Sequence, residues 1–373
     1  VFVAEKAGLI KVFDSLTDPA PDIFADMQTN VYKGPNDHGI LGLALDPSFA
    51  TRPYVYVLYS YDAPIGGTAP TWNDVCPDPP GPNRNGCVVS GRLSRLAAIG
   101  NQAAGPEQVL VEGWCQQFTS HSVGALGFGA DGALYASAGE GTNTSSGDYG
   151  QLGATDLITY TAITPVNPCG DPPTAIGVKP ALPSARGGAL RAQSLRRPAG
   201  EPALLSGTVI RIDPDTGAGL PDNPLAASAD ANARRVVAHG LRNPFRFTIR
   251  PGTSELWIGD VGWGKWAEID RLPSPAGPAP VNFGWPCYEG PDRQPVYDGF
   301  NLTLCESLYT QAGAVLAPYH AYSHRESLQP GDACSDVTSC TSAISGLAFY
   351  GAGEYPASYN GALFFADYGR HGI

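Results

Sequence analysis

One phrase recurs through the chain and limits what it can fold into. It is an alternating apolar run, a turn built on Asp, Pro or Gly, and a second apolar run. It reads GILGLALDPSFATRPYVYVLYSY (39–61), VGALGFGADGALYASAGE (123–140), PFRFTIRPGTSELWIGDVG (244–262) and SGLAFYGAGEYPASYNGALFFADYG (345–369). The opening VFVAEKAGLIKVF matches the later part of such a unit. Alternation at period two sends successive side chains to opposite faces of a strand, so each phrase predicts a hairpin. Repeated short antiparallel units suggest an all-β fold of the propeller type, with sheets around a central channel. A β-sandwich is the alternative, but it usually lacks such a repeated phrase. The long irregular segments 62–92 and 141–205 are expected as loops on one face. No amphipathic helix longer than a few turns is expected.

Composition agrees with this. Glycine (46) and proline (35) are abundant, and charged residues make up only 16%, as suits many turns and short strands. A formal charge of −12 leaves no basic stripe to release counterions, which argues against nucleic acid or an anionic membrane as partner. No apolar run approaches the roughly 18–20 residues of a membrane span. The chain shows no signal peptide and opens in mid-strand, so we expect a processed or truncated polypeptide whose native form extends beyond Ile373.

The eight cysteines are scattered and none forms a CxxC pair, which favours disulfides in an oxidising compartment over zinc. Cys76–Cys87 and Cys334–Cys340 are expected as local staples, while pairing among Cys115, Cys169, Cys287 and Cys305 stays open. The sequon NLT (301–303) fits the same exported setting, extracellular or periplasmic.

Polar residues stand at matching places in the repeats. His121 precedes an inner strand in FTSHSVGALGF, where an imidazole can face the channel and act as a base; a hydrogen-bonded turn histidine is the plainer alternative. Arg242-Asn243, in AHGLRNPFRF, occupies the equivalent place of a later unit; taken alone, it reads as a salt-bridged loop arginine and its neighbour. The same phase in two repeats converges on one axis, which favours a shared site. GDVGWGKWAEID offers backbone carbonyls together with Asp260, Glu268 and Asp270, hard oxygen donors that suit calcium, although a solvated acidic turn has the same composition. The chain has no phosphate loop, dinucleotide fingerprint or G-x-S-x-G elbow.

DHGILGLALDPSF, HSVGALGFGADGALYASAGE, LSGTVIRIDPDTGAGLPDNP, HGLRNPFRFTIRPGTSELWIGDVG…EID and NFGWP, in this order, resemble the soluble quinoprotein sugar dehydrogenases of the glucose/sorbosone dehydrogenase family. The resemblance implies a six-bladed propeller of four-stranded antiparallel blades, a single catalytic domain over 1–373 within a longer chain. It also implies pyrroloquinoline quinone (PQQ) and calcium as cofactors, a sugar as substrate and an external electron acceptor. By the same resemblance His121 is the general base and Arg242 stands beside the quinone oxygen. Asn243, Thr341, Asp37 and Arg370 fall in the cofactor site, the last two as departures. Asp37 replaces the family's glutamine, and Arg370 adjoins Gly369, which aligns with the family's lysine. Gly262 and Trp263 match the backbone carbonyls that hold calcium, and the acidic loop's own composition adds Glu268 as a ligand.

Two other readings remain open. One is a non-catalytic propeller that binds carbohydrate or protein. The other is a metal-dependent hydrolase or lactonase using Asp37, His38 and the acidic loop.

Overall fold

The computed structural model describes residues 1–77, 87–142, 144, 146–152, 166–328, 342–370 and 372. The chain is built mainly from antiparallel sheets laid down in sequence order. The first holds β1 (Phe2–Ala4), β2 (Leu9–Val12) and β3 (Asp22–Asp26). The second holds β4 (Ile40–Leu45), β5 (Tyr54–Tyr61), β6 (Val89–Ile99) and β7 (Gln102–Gln116). The third begins with β8 (Val123–Phe128), β9 (Leu134–Ala138), β10 (Thr208–Ile212) and β11 (Val236–His239). The fourth begins with β12 (Pro244–Ile249), β13 (Leu256–Asp260) and β14 (Trp266–Leu272).

The chain then crosses back. β15 (Val281–Asn282) joins the third sheet parallel to β11, so that sheet departs from the antiparallel rule. β16 (Tyr288–Glu289) and β17 (Asp292–Arg293) form a small ribbon, and β18 (His320–Ser323) completes the fourth sheet. A last hairpin pairs β19 (Ile344–Phe349) with β20 (Leu363–Asp367). The five principal sheets therefore have three, four, five, four and two strands among the described residues, where a uniform four was expected. The α-helices are short: α1 (Ala231–Arg235), α2 (Pro295–Gly299) and α3 (Thr303–Tyr309), beside a 3-10 segment at Gly188–Arg196.

Each repeated phrase is a hairpin, as its period predicts: β4–β5, β8–β9, β12–β13 and β19–β20. All four share a defect in the ladder. The register shifts near the start of the first strand, at Ile40/Gly42, Val123/Leu126, Pro244/Arg246 and Ile344/Gly346. A bulge bends a strand and re-aims a side chain, so one local device turns the entrance of every unit the same way.

These first strands lie side by side, β4 against β8, β8 against β12 and β12 against β19. Glycine permits the closest approach: a Cβ on Gly124 would stand 2.7 Å from the Pro244 carbonyl oxygen. Between the sheets, Tyr56, Leu58, Leu93, Trp114, Leu134 and Ile210 form a closed apolar core. Each aliphatic side chain fully buried there contributes about 1.5–3 kcal/mol.

Three disulfides join Cys76 to Cys87, Cys115 to Cys169 and Cys287 to Cys305. The first is the staple expected from spacing, and the other two resolve pairings that spacing left open. Cys334 and Cys340 lie outside the described residues.

Candidate active site

The segments entering four of these hairpins line one cavity of about 600 Å3. Its wall is Asn36 and Asp37 ahead of β4, Ser120 and His121 ahead of β8, Asn243 and Phe245 at β12, and Ala343 to Ser345 at β19. The shared phase of His121 and Asn243 is thus a shared location. Thr341 lies outside the described residues.

His121 is buried and held in the left-handed region at φ 58°, a costly conformation for a side chain of this size. Its N–H donates to Asp37 Oδ2 at 2.9 Å, and its carbonyl accepts from Gly141 N–H at 2.9 Å. Gly139 must be glycine here, since a Cβ would stand 2.6 Å from the His121 carbonyl oxygen. The ring Nδ1 meets Glu140 Oε1 at 2.6 Å. Glu140 is itself almost fully buried and accepts from Thr142 Oγ1 at 3.0 Å and from Trp285 Nε1. A carboxylate on Nδ1 fixes that nitrogen as the donor and presents Nε2 as the acceptor. Burial, and next the nearby Arg242 guanidinium, hold the His121 pKa below the ordinary imidazole range, while Glu140 and Asp37 pull the other way. Burial and Arg242 thus favour the uncharged ring.

Arg242 and Asn243 are fixed from below by Asp260, at the end of β13. Its two carboxylate oxygens accept the Arg242 N–H at 2.9 Å and the Asn243 N–H at 2.6 Å. Burial pushes Asp260 up to about 7 despite those donors. The two polar knots seen in the sequence, LRN and GDVG, are thus one structure. The Arg242 guanidinium lies 5.4 Å from the Trp285 ring and donates through Nη1 to the carbonyls of Val261 (2.8 Å) and Gly262 (2.7 Å). Its Nε is buried without a partner.

The acidic loop does not converge as expected of a calcium centre. The Gly262 carbonyl is engaged by Arg242, and the Trp263 N–H joins those of Gly264, Lys265 and Trp266 around Glu289 Oε1. Glu268 accepts from Gly290 N–H at 2.5 Å and faces Asp260 across the β13–β14 ladder. Asp270 is fully buried with neither oxygen hydrogen-bonded. Burial, and then the carboxylates beside them, push Glu268 and Asp270 well above the usual carboxylate range. Among the described residues, no three His, Cys, Asp or Glu side chains are placed to share a metal ion. As they stand, Gly262, Trp263 and Glu268 do not fit calcium: the Arg242 guanidinium engages the Gly262 carbonyl, and Glu268 is turned to the Gly290 N–H.

Two further residues serve the fold. Both ring nitrogens of His38 are taken, by Ser60 Oγ and the Phe118 carbonyl, each at 3.0 Å, which removes it as a metal ligand. Arg370 does not line the cavity: its guanidinium is held by Ser342 Oγ (2.7 Å) and by the Glu326 (2.8 Å) and Ser323 carbonyls.

The glucose/sorbosone dehydrogenase profile matches residues 1–169 and 189–369. The chain belongs to that family. Among solved structures of similar fold is a putative oxidoreductase (glucose dehydrogenase) from Thermus thermophilus, 21% identical with TM-score 0.52, over 86% of this chain and 66% of that one. The PQQ-bound aldose sugar dehydrogenase from Streptomyces coelicolor is 19% identical with TM-score 0.51, over 87% and 65%. The soluble aldose sugar dehydrogenase from Escherichia coli, in its apo form, is 16% identical with TM-score 0.55, over 98% and 76%. The chain therefore spans just under two thirds of the first two proteins, and at these identities the likeness is one of fold.

For this member of the family, the residues that sequence reasoning missed are Glu140 and Trp285. A signal existed for Glu140. An acidic residue closes or follows the second strand of each hairpin: Asp62, Glu140, Asp260 and Asp367. Trp285 offers none, because its 145-residue separation from Glu140 is bridged only by the fold.

Proposed function

We propose that this chain is the catalytic propeller of a PQQ-dependent sugar dehydrogenase that oxidises an aldose or related sugar. The observation that carries the reading is the 2.6 Å contact of His121 with the buried Glu140 carboxylate on the wall of a 600 Å3 cavity. His121 Nε2 takes the proton of the sugar hydroxyl as the carbon gives up its hydride. Glu140 holds the Nδ1 proton and stabilises the imidazolium that forms. When bound, PQQ supplies the two-electron hydride acceptor.

Two features support such an anionic group beside the cavity wall. Asn243 lines the wall, and the neighbouring Arg242 keeps a buried N–H without an acceptor. Asp37 opposes it in charge, although one of its oxygens is engaged by the His121 N–H. Calcium is not carried into this reading, because Arg242 engages the Gly262 carbonyl that would hold it. Under the same reading the five sheets belong to a six-bladed ring. The disulfides support an oxidising compartment, extracellular or periplasmic, and an external acceptor removes the electrons. No helix among the described residues is long and apolar enough to cross a membrane.

The test is a titration of the protein with PQQ, followed by a panel of aldoses. Saturable binding with sugar-dependent bleaching of the quinone is expected, and His121→Ala should bind PQQ within a few-fold but lose about 10²- to 10⁴-fold in turnover. Folded protein that binds no quinone moves the weight to the non-catalytic binding module.

A further inference from the structure

One cationic side chain beside the cavity has no role in the account above. Arg246 follows Phe245 at the bulge of β12, and its guanidinium carbon lies 4.1 Å from the Phe245 ring centroid. Phe245 itself lines the cavity. The guanidinium makes one hydrogen bond, from Nη1 to the Phe245 carbonyl at 2.8 Å, which leaves most of its five N–H donors without a described acceptor. Arg246 stands behind Phe245 rather than in the wall itself, and the carboxylate whose field it feels is Asp37, which lines the cavity and is hydrogen-bonded to the His121 N–H.

Four buried arginines differ. Arg191 is held by Asp171 and Gln117, Arg211 by Asp131 and Asp222, Arg242 by two carbonyls and Arg370 by Ser342 and two carbonyls. No guanidinium nitrogen of Arg246 is buried without a partner, so its remaining donors are open to an incoming ligand. Arg246 alone of these five is stacked against a cavity residue with its fork unmatched.

We propose that Arg246 is the carboxylate-binding residue of this cavity. Its planar fork receives a carboxylate of the ligand in two parallel hydrogen bonds, a geometry that a lysine ammonium cannot reproduce. Two sources share that chemistry: a carboxylate of the quinone cofactor, and the carboxylate of an acidic sugar such as a uronate. The first source rests on the dehydrogenase reading and the second does not.

The experiment measures binding to wild type, Arg246→Gln and Arg246→Lys by calorimetry. The probes are PQQ, its trimethyl ester, D-glucuronate and D-glucose. If the cofactor is the source, Arg246→Gln weakens PQQ about 10- to 100-fold, leaves the ester unchanged, and Arg246→Lys recovers part of the loss. If an acidic sugar is the source, the same pattern separates glucuronate from glucose. Should Arg246→Gln fail to fold, the wild-type preference for free acid over ester, or for glucuronate over glucose, carries the same information, with Arg246→Lys as the variant. Equal affinities across folded variants, or no preference for either acid, overturn the proposal. Wild type that binds glucuronate through Arg246 but no quinone keeps the carboxylate site and removes the dehydrogenase reading.

Discussion

In the third sheet, the acidic residue after the second strand is Glu140, and it reaches the side chain of His121 at the entrance of the first strand. In the fourth sheet the residue in the corresponding place is Asp260, and it takes the main-chain N–H groups of Arg242 and Asn243. The last hairpin repeats the second pattern, with Asp367 accepting the Ala343 N–H at 3.0 and 3.1 Å. In these two hairpins the aspartate ties down the backbone of the entering segment, whereas Asp62 takes the N–H groups of Trp72 and Asn73. One more methylene carries the Glu140 carboxylate out to the imidazole, while the His121 N–H is satisfied by Asp37 from the neighbouring unit. A clamp that is structural in two units thereby becomes one that fixes a tautomer in the third.

The sharpest way to break the comparison is to remove the charge from each clamp. Glu140→Gln should lower sugar-dependent turnover roughly 10²-fold or more, because an amide can donate to Nδ1 and leave the wrong tautomer. Unchanged turnover in rate assays would show that Glu140 is one more structural clamp.

Asp260→Asn should act on stability, and its effect should depend on pH. The folded pKa of Asp260 is raised by burial to about 7, above the ordinary value near 3.9. The unionised carboxyl therefore contributes stability fully below about pH 4, and that contribution is lost as pH rises through 7. An asparagine has no such loss, so the cost of the substitution should shrink by about 3 kcal/mol between pH 5 and pH 8. Denaturant melts at both pH values would show it, and a pH-independent cost would contradict the buried protonated carboxyl.

The smallest effect expected is a displacement of the pH profile. Activity should fall on the acid side with an apparent pKa below the usual imidazole value of about 6.5, since burial and Arg242 favour the neutral ring. In Glu140→Gln that limb should move further toward acid, because the group that raises the pKa is gone. A limb that moves toward neutrality would place the titrating group elsewhere.

The hairpins were legible because alternation and turn residues are local. Each quoted phrase needed only its own twenty or so residues to become two paired strands. The phase argument worked for His121 and Asn243 for the same reason: a residue just ahead of a first strand inherits the position of that strand. It had nothing to say of Arg370, named only by its place beside Gly369, which sits past a second strand and turns to backbone carbonyls. The acidic loop misled because composition names the ligand type but not its direction. Asp260, Glu268 and Asp270 share a ladder face yet are aimed at different partners or at none.

The sequence alone therefore determined the repeating hairpin and which residues stand at each entrance, since period-two patterning specifies a face within a strand. Only the tertiary structure decided what each polar group meets there. The Trp285 indole on Glu140, the Val261 and Gly262 carbonyls on Arg242, and the unmatched fork of Arg246 beside Phe245 depend on how whole sheets pack. The reason is geometric: a hydrogen bond requires a partner within about 3 Å and a suitable angle, and no short-range pattern encodes that across sheets.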